Sequence, residues 1–140
     1  MLTIFSELLF YPKEVNMPNH PIVHVEISAQ DGKALAGFYG DVFGWEHQTF
    51  DEMNYTTFSY GEEGRGGGYN PISDESPVGT IVPYIYTDNI EDSVSRIKAH
   101  GGQVLLPPME VPGTGLIAQF TDPTGNRMGL WQPPVNGASE

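Results

Sequence analysis

A chain of 140 residues without a cysteine is long enough to bury a core without disulfides, and its composition excludes thiolate metal sites and cysteine nucleophiles. With 18 acidic against 6 basic residues and a formal net charge of −12, it would repel nucleic-acid phosphates and anionic lipid headgroups, which bind through clustered Lys and Arg. Its 17 glycines and 12 prolines indicate many turns between short elements.

The opening stretch from Met1 to Phe10 is apolar, but it carries Glu7 and lacks both a basic n-region and a small-residue cleavage site. It reads neither as a signal peptide nor as a bilayer span. Residues 1–16 fit no later repeat, so the expectation is an extension ahead of one domain over residues 17–140, with Met17 as the natural start. The absence of cysteine is consistent with a cytoplasmic location.

From Ile22 to Ser28 the residues alternate, His24, Glu26 and Ser28 on one side and Val23, Val25 and Ile27 on the other, which predicts a half-buried strand. Leu35, Phe38, Tyr39, Val42 and Phe43 then recur at helical spacing, between Asp31 as opener and Gly44 as terminator. This helix is expected to lay its apolar stripe on a sheet. Trp45–Phe50, Asn54–Tyr60 and a short piece at Gly68–Asn70 read as strands. Residues 71–77, polar and bounded by prolines, read as a linker.

The same order then begins again. Ile81–Thr87 reads as a strand, and Asn89–His100 as a helix with Asp88 and Glu91 placed like a capping box and Gly101 as terminator. Gln103–Leu106, Gly115–Thr121 and Arg127–Gln132 read as three further strands. Asp31 to Gly44 and Asp88 to Gly101 are each thirteen positions apart, which supports a duplicated unit over residues 20–70 and 80–134. The predicted fold class is α+β, two βαβββ repeats forming a curved mixed sheet around a pocket. Strand parity puts His24, Glu26, Gln119, Arg127, Gly129 and Trp131 on the concave face, and Ala118, Phe120, Met128 and Leu130 on the helix side.

Three stretches carry a family resemblance: Val23-His24-Val25-Glu26-Ile27, Phe38-Tyr39-Gly40-Asp41-Val42-Phe43-Gly44-Trp45, and Asp122-Pro123-Thr124-Gly125-Asn126 leading to Leu130-Trp131. Over residues 20–134 the chain resembles the glyoxalase, bleomycin-resistance and extradiol dioxygenase (vicinal oxygen chelate) superfamily. Such proteins commonly hold a divalent metal on one inward residue from each of the first, fourth, fifth and eighth strands. By that resemblance His24 takes the first-strand position. The fourth-strand position falls among Gly66, Gly67, Gly68 and Tyr69, the fifth at Pro83 and the eighth at Gly129. Glycine and proline carry no side-chain donor, so no metal or other cofactor is expected, although Glu26 could join His24 as a weak pair.

The leading expectation is therefore a glyoxalase-like protein with a degenerate metal site, a homodimer by resemblance. It would bind a small organic ligand through His24, Glu26, Tyr69, Gln119, Arg127, Gly129 and Trp131; whether it is also an enzyme is left open, a glyoxalase-like lyase or dioxygenase being the activity the resemblance would imply. In this reading the glycines leave room for a flat ligand, Tyr69 and Trp131 stack on it, and Glu26 raises the His24 pKa. The alternatives are a metal-dependent lyase, isomerase or dioxygenase, an acid–base catalyst using His24 and Glu26, and an interaction module whose own aromatics fill the pocket. His20, His47 and His100 are weaker candidates, His100 being explained by the helix dipole.

Overall fold

The computed structural model describes residues 19–60 and 65–134; the extension expected at residues 1–16 lies outside the described residues. The first half runs β1 (Ile22–Ala29), α1 (Gly32–Phe43), β2 (Glu46–Phe50), β3 (Tyr55–Tyr60) and β4 (Arg65–Pro71). The second runs β5 (Ile81–Tyr86), α2 (Ile90–Ala99), β6 (Gln103–Val111), β7 (Gly115–Thr121) and β8 (Arg127–Gln132). The βαβββ order thus occurs twice, within one eight-stranded mixed sheet of order β2-β3-β4-β1-β5-β8-β7-β6. In each half the first strand runs parallel to the last, β1 with β4 and β5 with β8. An antiparallel β1–β5 ladder joins the halves and sets His24 opposite Tyr84.

Local chemistry explains the helix boundaries. Asp31 Oδ1 accepts the Lys33 and Ala34 N–H groups at 3.1 and 3.2 Å, and Gly44, at φ +76°, closes α1. The cap of α2 is Asn89 rather than the expected Asp88. The Thr87 hydroxyl takes the Asn89 N–H at 3.1 Å, and Asn89 Oδ1 then accepts from Asp92 N–H at 3.0 Å. At the other end the Gly102 N–H reaches back to the Ile97 carbonyl at 2.9 Å, with Gly101 at φ +95° between them.

Two strands run longer than expected. β4 extends back through the glycine run to Arg65, with Gly67 paired on both sides, to Val25 and to Phe58. β6 continues through Pro107 and Pro108 to Val111 because it is an edge strand with register shifts, where missing N–H groups are tolerated.

Three apolar clusters hold the layers together. Under α2 lie Ile90, Val94, Ala118, Phe120 and Leu130; under α1 lie Ala29, Phe58 and Tyr69 with Leu35 and Tyr39 against them. The third cluster, Phe50, Tyr55, Val82, Tyr84, Tyr86 and Trp131, brings residues of β2 and β3 against residues of β5 and β8, so the sheet curls around it. A register shift between Ile22 and His24 turns Val23 into this concave cluster, against the simple alternation expected for β1.

The stripe of α1 is only half used. Phe38, Val42 and Phe43 remain 54, 55 and 61% exposed, because Trp45 folds beneath the helix, stacked between Tyr39 (4.9 Å) and Phe58 (4.8 Å).

Candidate functional site

The concave face carries a continuous polar network inside its aromatic cluster. Gln119 on β7 donates to the Tyr84 hydroxyl at 2.8 Å, and Tyr84 on β5 donates to Glu26 Oε1 at 3.5 Å. From the other side Tyr55 on β3 donates to Glu26 Oε2 at 3.2 Å. The Tyr55 oxygen, its proton committed to Glu26, accepts from His24 Nε2 at 3.2 Å, which protonates His24 on Nε2. Edge-to-face contact between His24 and Tyr84, at 5.9 Å between centroids, closes the ring of contacts.

The electrostatics are set by burial. His24 is 1% exposed and desolvation drives its pKa down to about 3. The expectation that Glu26 would raise it is overturned: the carboxylate faces two tyrosine hydroxyls, and a hydroxyl stands between it and the imidazole. Desolvation raises the Glu26 pKa, opposed by the hydrogen bonds from Tyr55 and Tyr84. Burial, with the nearby Glu26 charge, also pushes both tyrosine hydroxyls above their ordinary value.

The positions level with His24 bear on a metal. On β5 the inward residue is Tyr84, not Pro83, because Tyr84 pairs with His24 and shares its face with Val82 and Tyr86. On β4 the inward residue beside Glu26 is Gly68, and on β8 it is Gly129, opposite Tyr84. A Cβ on Gly68 would strike the Tyr55 hydroxyl, and one on Gly129 the Tyr84 ring. The four positions thus offer one imidazole, two bare glycines and a tyrosine already bonded to Glu26 and Gln119. Among the described residues no three His, Cys, Asp or Glu side chains gather to hold an ion. This donor set does not fit a divalent metal.

His24, Glu26, Gln119, Gly129 and Trp131 come together on the concave face; Tyr69 and Arg127 take other places. Tyr69 points to the opposite face, 1% exposed under α1, where its hydroxyl meets His47 Nε2 at 3.0 Å. Pairing explains this: Tyr69 lies level with Ile27, one residue out of phase with Glu26. The Arg127 guanidinium turns to the rim and donates to the Glu75 carbonyl at 2.7 Å and the Ser76 hydroxyl at 3.4 Å. Trp131 is fully buried, its indole N–H donating to the Thr114 carbonyl at 2.7 Å. His20 donates to the Tyr86 carbonyl and His100 to the Arg96 carbonyl.

Over Gly68 and Gly129, where open space was expected, stand the Tyr55 hydroxyl and the Tyr84 ring. Cavities of about 210, 370 and 840 Å³ open elsewhere, and none of them is lined by His24, Glu26, Gln119 or Gly129. Sequence reasoning missed Tyr55 and Tyr84, the residues that organise the site. The signal was present in Gly68 and Gly129, since a bare patch on a sheet must be covered by a large side chain from elsewhere.

A curled mixed sheet of two βαβββ units with helices on its convex side is the architecture of the glyoxalase/bleomycin resistance/dioxygenase proteins. One solved member of that superfamily, from Vibrio splendidus 12B01, superposes with a TM-score of 0.58 at 18% identity, over 78% of this chain and 96% of that one. Methylmalonyl-CoA epimerase from Mycobacterium tuberculosis superposes with a TM-score of 0.65 at 14% identity, over 85% and 91%. Residues 21–61 match the family described as Bleomycin resistance protein-like N-terminal. The chain thus shares the fold of the glyoxalase/bleomycin resistance/dioxygenase superfamily, and part of its first half carries the matching family pattern. It is 29% identical over 133 residues to the anthracycline biosynthesis protein DnrV of Streptomyces peucetius, covering 82% of this chain and 48% of DnrV. The chain therefore spans about half the length of the curated relatives it matches.

Proposed function

We propose that this chain is a metal-independent member of the glyoxalase/bleomycin resistance/dioxygenase superfamily that binds a small aromatic molecule on the concave face. The observation that carries this reading is the polar network itself. Side chains from four strands, His24, Glu26, Tyr55, Tyr84 and Gln119, converge within an otherwise apolar cluster. Such a network costs more desolvation than plain apolar packing, and shifted titratable groups of this kind gather at functional sites. The aromatic lining suits a planar ligand, the acidic surface favours a neutral or cationic one, and the likeness to a protein named for anthracycline biosynthesis makes an anthracycline the first probe.

His24 is a poor acid or base at neutral pH, since a pKa of about 3 leaves it neutral, with no imidazolium proton to give and with little basicity. The occupied concavity supports a second reading, an interaction module without a ligand. A homodimer is part of the proposal, supported by the exposed Phe38, Val42 and Phe43 on α1. Among the described residues no helix is long and apolar enough to cross a membrane; the lack of cysteine supports a cytoplasmic location.

The test is calorimetric titration of wild type and His24→Ala with an anthracycline, and separately with Ni, Mn, Zn and Fe(II). Saturable anthracycline binding that persists in chelator supports the proposal. Stoichiometric metal binding lost in His24→Ala would overturn it in favour of metal-assisted catalysis. Absence of anthracycline binding favours the interaction module.

A further inference from the structure

One side chain stands in the place a ligand of this site would take. The Tyr55 hydroxyl lies 3.2 Å from both His24 Nε2 and Glu26 Oε2, and it covers the bare backbone at Gly68. Tyr55 thus masks the polar groups of β1 and the bare patch of β4 together.

Its attachment differs from that of Tyr84. Tyr55 is the first residue of β3, next to the edge strand β2, and hangs from a hairpin containing the short 3₁₀ turn Asp51–Met53 and Asn54 at φ +50°. It also lines the cavity of about 210 Å³ that opens toward Asp31, Thr49 and Asn54. Tyr84 sits mid-strand in β5, between β1 and β8, anchored by Gln119 and seated over Gly129. The edge hairpin can yield without breaking the central ladders; β5 cannot.

We propose that Tyr55 is a displaceable stopper, and that the ligand which replaces it is a hydroxyarene whose neutral hydroxyl takes over the bridge between His24 and Glu26. This rests on the reading of the concave face as a ligand site. The bridge must donate to a carboxylate and accept from an imidazole N–H. A hydroxyl does both, whereas an ether or ketone only accepts and an ammonium only donates. The ring that carries it would enter the apolar cluster to which the Tyr55 ring now belongs. A phenolate is excluded by the Glu26 carboxylate and by the desolvation that keeps His24 neutral.

The test uses the full chain as wild type, Tyr55→Ala and Tyr55→Leu, with folding checked by circular dichroism. Each is titrated with 4-methylphenol, which reproduces the Tyr55 side chain, with toluene, and with the anthracycline. Because the stopper need not be displaced, the variants are expected to bind 4-methylphenol about tenfold tighter than wild type. They should prefer it over toluene by about tenfold, the worth of one net hydrogen bond, and His24→Ala in the Tyr55→Leu background should remove that preference. A folded variant that binds 4-methylphenol and toluene equally overturns the hydroxyl bridge. If wild type binds the anthracycline and Tyr55→Leu leaves its affinity unchanged, the stopper falls while the ligand site stands. If no form binds any probe, both fall.

Discussion

The Tyr55 hydroxyl stands over Gly68 at the point where the side chain of any other residue would begin. The same relation holds between the Tyr84 ring and Gly129 in the second half. Gly68 and Gly129 lie on the last strands of their repeats, in positions where the superfamily resemblance leads one to look for metal ligands. Tyrosine rings have taken the space those side chains would fill.

Alanine at either glycine should therefore destabilise the fold by overpacking, a cost of about 1–3 kcal/mol. Gly68→Ala should lie at the lower end, because its main clash is with the far end of Tyr55, which can swing on its hairpin. Gly129→Ala meets the flank of a ring fixed in a central strand and should lie at the upper end or beyond. Urea unfolding of the two variants gives the comparison; equal, negligible costs would contradict this account of the glycines.

The buried imidazole makes stability depend on pH with a definite sign. Below about 6.5 the unfolded chain takes up a proton at His24 that the folded chain refuses until about pH 3. The His24 contribution is thus complete above 6.5 and is lost as pH falls toward 3, at up to about 1.4 kcal/mol per pH unit. Glu26 acts oppositely: its raised pKa stabilises the fold below its ordinary value of 4.5, and that gain is lost as pH rises through the folded value. Of these two slopes, His24's alone operates below 4.5. His24→Gln, which keeps a donor toward Tyr55, should flatten the fall in stability between pH 4.5 and 3 measured by denaturant titration. An acid limb as steep as that of wild type would show that His24 is not the group responsible.

Trp131 should prove a structural anchor rather than a ligand platform. It is fully buried, and its indole N–H holds the Thr114 carbonyl at 2.7 Å. Trp131→Phe removes that donor and part of the ring volume, an expected loss of about 2–4 kcal/mol. Thermal unfolding together with anthracycline titration separates the roles. A variant that keeps its stability and loses only binding would place Trp131 in the ligand contact instead.

The fold was legible because it rests on periodicity and punctuation: the strand alternation, Asp31 and Gly44 around α1, and the turn at Asp122–Asn126 all act locally. Parity also put Ala118, Phe120 and Leu130 correctly beneath a helix. The site was less legible because it depends on pairing between strands. Tyr69 follows a glycine run whose phase is invisible until Glu26 is seen opposite Gly68, and the same one-residue register separates Pro83 from Tyr84, the inward residue of β5. The titration of His24 could not be read from its neighbour in sequence, since Tyr55, remote along the chain, decides what lies between them.

The two helices, similar as sequence patterns, should respond differently to substitution. Ile90 on α2 is fully buried among Val94, Ala118, Phe120 and Leu130, so Ile90→Ala removes packed volume and should cost about 2–5 kcal/mol. Val42 on α1 is 55% exposed, and alanine is the better helix former, so Val42→Ala should stay within about 0.5 kcal/mol of wild type. Both are measured by urea unfolding across a range of protein concentrations. A Val42→Ala cost that approaches that of Ile90→Ala and grows with concentration would mean that the outer face of α1 is covered by a second chain in solution, as the proposed homodimer requires. A cost that stays negligible at every concentration would leave that face open to water and remove α1 from any dimer interface.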